Sequence, residues 1–326
     1  MLATAGTHVP DGGDWVHEVK WDGIRLLAER RAATSTGSTT STTSTGSFGV
    51  RLTTRNENDA TIAWPELVQD QLEHLPNDLL VDGEVIALNE RGLPDFRVLA
   101  ERMHSRDPRK AARHAAANPA TYMVFDVLRL DGTDLTDLPW SERRAILERL
   151  AGQGALGRWQ VPPTYDDGTM LHAATLEQGL EGIVSKRRAS KYLPGVRSAA
   201  WLKFPHRFRS SYVVGGWRPQ EGTTDRLAAL LVGEMTPQGL LYRGRVGSGI
   251  TGRLSLLLRE LLTPAPASPF ADEVPREDTT GTRWTQPLVV VEVETHGVGS
   301  GLASGGRLRQ PSFQGVRADV TPADLA

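Results

Sequence analysis

A chain of 326 residues, 39% apolar and 23% charged, has the composition of a folded protein and the length of about two domains, which excludes a disordered chain. The formal net charge of −2 supplies no bulk attraction to a polyanion; no run reaches the roughly 18 apolar residues of a membrane span, and the opening MLATAGTHVP lacks a basic-then-apolar leader pattern. The absence of cysteine excludes disulfides, thiolate zinc sites and a cysteine nucleophile, and fits a cytoplasmic address.

Over the first two-thirds of the chain, strand-like and helix-like segments alternate. Runs rich in Val, Ile, Leu and aromatic residues predict strands over 15–31, 49–55, 80–89, 121–130, 182–188 and 200–205. Helical spacing between them predicts helices over 65–75, 96–104, 109–117, 141–150 and 169–180, with Ser141 as the N-cap of one and Asp166 or Asp167 before another. Strands outnumber helices and several adjoin through short loops, so the fold class is α+β with antiparallel sheets rather than a doubly wound parallel sheet. Residues 34–47, TSTGSTTSTTSTGS, lie between two strand-like runs and read as an insertion in a hairpin loop; their hydroxyls also permit a phosphorylation cluster.

From about residue 208 the texture changes to short β runs at 211–217, 227–235, 240–246 and 288–295, interrupted by a helical stretch at 251–262. Three strands, a helix and further strands is the order of a small Greek-key barrel of the OB type, with a generic β-sandwich as the alternative.

Only five of the 37 basic residues are lysine, at positions 20, 110, 186, 191 and 203. Coding bias toward arginine accounts for such a skew, yet it draws attention to each surviving lysine. Guanidinium stays protonated in proteins, whereas an amine can lose its proton and attack an electrophile. Lys20 lies in HEVKWDGIR (17–25), near a strand end and just before an Asp-Gly turn, a place that suits either a surface strand or a side chain projecting into a cleft. Burial or neighbouring cations would favour its neutral, nucleophilic form.

Further clusters follow in order: TRN (54–56), VDGEVIA (81–87), PDF (94–96), FDVL (125–128), EGIVSK (181–186), RSAAWLK (197–203), SYVVGGW (211–217) and RLRQPSFQGVRAD (307–319). Together they resemble the signature motifs of the covalent nucleotidyltransferase superfamily, most closely the ATP-dependent DNA ligases and, in detail, the catalytic core of the bacterial end-joining ligases. The resemblance runs nearly the whole length of the chain.

The resemblance implies a nucleotidyltransferase (adenylation) domain over 1–207 carrying the 34–47 insertion, followed by an OB-fold domain over 208–326. It implies the sealing of 5′-phosphate/3′-hydroxyl breaks in duplex DNA by way of a lysyl-AMP and a DNA-adenylate, with ATP and Mg2+ (or Mn2+) as cofactors. By the same match, Lys20 is the nucleophile, Glu18 reads the adenine edge and Phe125 stacks on the base. Glu84 and Arg25 contact the ribose, Arg55 the ribose or the nick phosphate, and Arg197 and Lys203 the ATP phosphates. Glu181, with Glu84, holds the divalent metal. Implied partners are nicked or broken DNA, a Ku-type end-binding protein and a separate repair polymerase, for a monomer associated with the nucleoid.

Two positions depart from the family pattern. Pro205 stands where a second lysine is common, leaving that charge to Arg207 or Arg209, and Val320 stands where the C-terminal motif often has lysine. Lys186 faces either the cleft or solvent, and the basic residues of 106–110 and 186–209 meet either DNA phosphates or water. The eight histidines show no paired metal spacing, and the glycine-dense stretch 297–306 lacks the strand–turn–helix context of a phosphate loop. Other readings are a GTP-dependent capping enzyme or RNA ligase, a catalytically silent nick- or end-binding protein, and a kinase that forms no covalent intermediate. NAD-dependent ligases are disfavoured, since that family carries a cysteine zinc module.

Overall fold

Two antiparallel-dominated sheets in the first part of the chain owe their separation to a four-residue break. In the computed structural model, which describes residues 1–31, 49–68, 75–100, 102–153, 156–296 and 306–325, the run predicted as one strand over 15–31 is two. Strand β1 (Leu2–Ala5) precedes them; β2 (Trp15–Val19) and β3 (Ile24–Arg30) then enter different sheets, with 20–23 between them. Gly23 makes this change of sheet possible: a Cβ there would lie 2.1 Å from the Val85 carbonyl oxygen.

The chain forms two compact units, Met1–Pro205 and His206–Ala326. In the first, β4 (Val50–Thr54), α1 (Pro65–Val68), β5 (Leu79–Ile86), α2 (Phe96–Ala100), α3 (Pro108–Ala117), β6 (Thr121–Leu130) and β7 (Thr133–Asp134) follow β3. Next come α4 (Trp140–Gly152), β8 (Trp159–Gln160), α5 (Gly168–Glu177), β9 (Gly182–Arg187) and β10 (Arg197–Pro205). One sheet has the order β4-β3-β5-β6-β7, with β8 beside β6; the other has the order β1-β10-β9-β2. All pairings are antiparallel except β1 with β10 and β6 with β8.

Strand alternation assigns each face. Along β3, Ile24, Leu26 and Ala28 are buried on one side, in a core with Leu52, Trp64, Val85, Tyr122 and Trp159, while Arg25 and Leu27 point to the other. Each buried Val or Leu in such a core contributes about 1.5–3 kcal/mol. On the second sheet, Ile183 and Phe204 pack with Leu171 of α5, and the opposite face carries Val16 and Trp201 into a cluster with Leu128, Trp140 and Tyr192.

Asp167 caps α5 by accepting from the Met170 N–H at 2.8 Å. Ser141 does not cap α4. That helix begins at Trp140 after Pro139, and its first N–H groups are met by carbonyls of the neighbouring turn, Trp140 N to Ser190 O and Ser141 N to Arg188 O. Strands β3 and β4 pair as a hairpin around the Ser/Thr/Gly tract, but 34–47 lies outside the described residues, as do 69–74 of the helix predicted over 65–75 and nearly all of 297–306.

The second unit contains β11 (Arg207–Pro219), β12 (Leu227–Thr236), β13 (Gly239–Val246), α6 (Gly252–Leu261), α7 (Arg276–Thr279), β14 (Arg283–Trp284), β15 (Val290–His296) and β16 (Ser312–Val316). Its sheet order is β13-β12-β11-β15-β16, and a parallel bridge from Ser248 to Ser312 joins the two ends. That closure makes a five-stranded Greek-key barrel with a helix between its third and fourth main strands, which is the OB fold rather than a sandwich. Gly249 sits at the seam with φ +85°, and a Cβ there would fall 2.3 Å from the Phe313 carbonyl oxygen. The sequence pattern missed β1 and β16; both are short, and neither is a continuous apolar run.

Candidate active site

Lys20 stands one residue past the end of β2, and its N–H extends the ladder to Gly182 O at 2.8 Å. Alternation therefore places Glu18 and Lys20 on one face with Val16. The register continues that face across the sheet: Val16 opposes Lys186, Glu18 opposes Val184, and on β10 Trp201 opposes Lys186 and Lys203 opposes Val184. On the other sheet of the same unit, Arg25 of β3 opposes Glu84 of β5.

A cleft of about 300 Å³ in this unit is lined by Glu18, Lys20, Arg25, Arg55, Glu84, Phe125, Arg197 and Lys203. Eight of the nine predicted site residues, drawn from positions 18 to 203, thus share one cleft. The ninth, Glu181, reaches it through Lys20: Nζ lies 2.6 Å from Glu181 Oε2. Lys20 is thus ion-paired with a carboxylate, while Arg25, Arg55, Lys186, Arg197 and Lys203 line the same cleft.

Lys186 belongs to the cleft, not to a solvated face. Its side chain is 2% exposed, and Nζ donates to Glu18 Oε2 at 2.7 Å. The ammonium also lies 4.4 Å from the Trp201 ring centroid and 4.6 Å from that of Phe125. Burial pushes the Lys186 amine below its usual range, against the pull of Glu18. The other Glu18 oxygen, Oε1, is buried with no hydrogen-bond partner among the described residues. An unpaired buried acceptor is costly unless a ligand meets it, and the exocyclic amine of a purine has the donor it lacks.

Across the cleft, Asp82 is fully buried and accepts from Arg25 Nε at 2.9 Å and Arg25 Nη2 at 2.5 Å. Burial opposes the Arg25 charge, but Asp82 outweighs it and raises the guanidinium above its ordinary range. Burial pushes the Glu84 carboxyl up to about 8, although Lys20 and Arg25 pull the other way. Among the described residues no group of three or more His, Cys, Asp or Glu converges on a metal position. Magnesium needs only one or two carboxylates beside phosphate oxygens; Glu181 supplies one, and Glu84 would supply a second on giving up its proton to the ion.

The motif-by-motif reading did not assign Asp82, Tyr192 or Trp201. Alternation from Glu84 reaches Asp82, since both face the same side of β5. Nothing local marks Tyr192, which arrives from the turn after β9. In the second unit, Arg207 and Arg209 both bond Glu294, at 2.9 and 3.1 Å, so a carboxylate already engages the two candidates for replacing charge at Pro205. Val320 packs against a cluster containing Val213, Leu231 and Tyr242, and Arg317 pairs with Asp319 at 2.8 Å.

Comparison with known proteins meets this geometry at both units. A family model described as ATP dependent DNA ligase domain matches residues 1–204, and one described as ATP dependent DNA ligase C terminal region matches 223–320. The chain belongs to the ATP-dependent DNA ligase family. It is 34% identical over 332 residues to the multifunctional non-homologous end joining DNA repair protein LigD of Mycobacterium tuberculosis, covering all of this chain and 39% of that protein. It is 32% identical to a DNA ligase of Natronomonas pharaonis, covering 99% of this chain and 56% of that one. The chain thus spans well under two-thirds of the length of these relatives. Among solved structures, a mycobacterial DNA ligase D complexed with ATP and MES matches with a TM-score of 0.54 and 32% identity, covering 100% of this chain and 96% of that one. No helix among the described residues is long and apolar enough to cross a membrane.

Proposed function

We propose that this ligase joins 5′-phosphate and 3′-hydroxyl termini at nicks or breaks in duplex DNA, using ATP and taking the adenylate onto Lys20. The observation that carries the reading is the position of Lys20 at the end of β2, in the cleft with Glu18, Arg25, Glu84 and Phe125 and beside Glu181.

In the first step Lys20 Nζ attacks the α-phosphorus of ATP, a P–N bond forms, and the bond to pyrophosphate breaks. The amine must shed a proton, and Glu181 Oε2 at 2.6 Å is the acceptor in reach. In the second, a DNA 5′-phosphate oxygen attacks the same phosphorus and the P–N bond breaks, leaving adenylate on the DNA. In the third, the 3′-hydroxyl attacks the 5′-phosphorus and AMP departs. Each step is an in-line displacement, so positioning and charge neutralisation carry the catalysis.

Glu18 would take the base edge and Phe125 its face, and Arg25 and Glu84 the ribose. Arg55 would meet the ribose or the nick phosphate, and Arg197 and Lys203 the triphosphate. A magnesium or manganese ion, held by Glu181 and Glu84, would neutralise phosphate charge. The LigD relative is named for non-homologous end joining; this protein would likewise act in end joining, at the nucleoid, with a Ku-type end-binding protein and a repair polymerase activity as partners.

Mass spectrometry after incubation with ATP and magnesium tests the reading: one AMP appears on Lys20, and Lys20→Ala neither gains it nor seals nicked duplex. A chain that never gains AMP refutes the covalent route. Labelling by GTP in preference to ATP would point to a capping-type enzyme.

A further inference from the structure

Tyr192 has no assigned part in the reaction, yet its hydroxyl ends in a buried polar contact directly behind the cleft residue Arg25. The residue is 5% exposed, in the turn between β9 and β10, and its N–H donates to Thr136 O at 2.8 Å. Its ring stands edge-on to Trp201 at 5.9 Å, and the Arg143 guanidinium lies 5.8 Å from its centroid. From this fixed ring the hydroxyl donates to Asp82 Oδ2 at 2.7 Å, and Arg25 Nη2 lies 3.4 Å from the same hydroxyl.

Asp82, fully buried, thereby receives three hydrogen bonds, two from Arg25 and one from Tyr192. Two parallel bonds to one carboxylate fix the plane of a guanidinium. The carboxylate must itself be prevented from turning, and among the described residues Tyr192 supplies its third bond. With Nε and Nη2 engaged, Arg25 Nη1 makes no hydrogen bond among the described residues and keeps its donors for a ligand. Phe125 and Trp201, at 5.4 and 6.0 Å from Arg25 Cζ, border the guanidinium on the cleft side.

We propose that Tyr192 is a positioning residue for the nucleotide sugar: through Asp82 it holds Arg25 in one orientation, and so sets how strictly the ligase selects a ribonucleotide over a deoxyribonucleotide. The inference rests on the proposed contact of Arg25 with the ribose. A guanidinium held in one plane rewards a hydroxyl at one place; a guanidinium free to turn accepts water there instead and loses the discrimination.

The test is Tyr192→Phe, which keeps the ring and removes one oxygen, assayed for lysyl-AMP formation with ATP and with 2′-deoxy-ATP. The expected result is a KM for ATP raised about 5- to 10-fold, kcat changed less than about 2-fold, and an ATP/deoxy-ATP preference narrowed by a similar 5- to 10-fold, the scale of one lost hydrogen bond. The double variant Tyr192→Phe with Arg25→Lys should show no further loss of preference, because Tyr192 acts through Arg25. An unchanged preference, equal losses for both nucleotides, or additive effects in the double variant would overturn the proposal. A merely structural role for Tyr192 would lower stability and active fraction without moving the nucleotide preference. Should the wild-type protein form no lysyl-AMP, the ligase reading itself would have failed; should it form lysyl-AMP with Tyr192→Phe behaving as wild type, only this inference would fall.

Discussion

Lys20 Nζ and Glu181 Oε2 lie 2.6 Å apart, joining the first residue after β2 to the residue just before β9. The pairing follows from the ladder itself, since Val19 opposes Ile183 and the Lys20 N–H reaches Gly182 O. The pair is partly open, with 24% and 13% of the two side chains exposed, so an incoming phosphate can reach the amine. A carboxylate so placed orients the lysine and offers its proton a destination.

Glu181→Gln removes the acceptor and keeps the shape. Lysyl-AMP formation at saturating ATP should slow by at least about 100-fold, the lower end for loss of a positioned general base. Raising magnesium should not restore the rate, whereas raising pH should restore part of it. Full rescue by magnesium alone would show that Glu181 acts only as a metal ligand.

Glu84 offers a check on the cleft's electrostatics. In the folded protein its carboxyl keeps a proton up to about 8, against 4.5 for an ordinary glutamate. Between those values the folded state binds more protons than the unfolded chain, so stability falls as pH rises. The contribution is fully present below about 4.5 and lost as pH passes about 8. The stability of the wild type relative to Glu84→Gln should therefore decline from pH 5 to pH 8 in denaturant titrations. A flat difference would show that Glu84 titrates like a solvated acid.

Much of this site was legible in the sequence because its chemistry sits at strand ends. Lys20 precedes the Asp22-Gly23 turn, Glu181 precedes β9, and strands such as β3 keep one alternation from end to end. The supporting contacts were not legible because they join distant segments. Asp82 and Tyr192 are 110 residues apart, and the Lys186–Glu18 pair exists only because β2 and β9 are neighbours. The run at 15–31 carried one hydrophobic texture through two sheets, and only the close approach of Gly23 to Val85 shows why it breaks. Ser141 looked like a cap because the sequence could not show that backbone carbonyls at 188 and 190 would reach the helix first.

The barrel's closure makes a prediction independent of the nucleotide. Gly249 combines a positive φ with a Cβ direction blocked by the Phe313 carbonyl, so Gly249→Ala must strain the backbone or open the seam. A destabilisation of more than about 1 kcal/mol is expected. Hydrogen exchange localises it: the Phe313 amide, which donates to Ser248 O at 2.8 Å, should lose protection before amides of β12. Unchanged protection at Phe313 would mean that the seam tolerates a methyl group.

With Glu18 in its proposed role at the base edge, its buried pair with Lys186 would link stability to nucleotide choice. Both side chains are almost wholly buried, at 2% and 5% exposure. Removing one partner of such a pair costs about 3–5 kcal/mol, because the other charge stays buried without compensation, whereas replacing both by apolar groups is often close to neutral. Lys186→Met should therefore lower stability by about that amount, and Glu18→Leu combined with Lys186→Met should recover most of it. Function should not follow stability. The double variant lacks the Glu18 oxygen that is buried without a partner, so its preference for ATP over GTP in forming lysyl-AMP should collapse although the protein is folded. Urea titration and competitive labelling with the two nucleotides separate the effects. A stable double variant that still prefers ATP would remove Glu18 from base recognition and leave the pair a structural one.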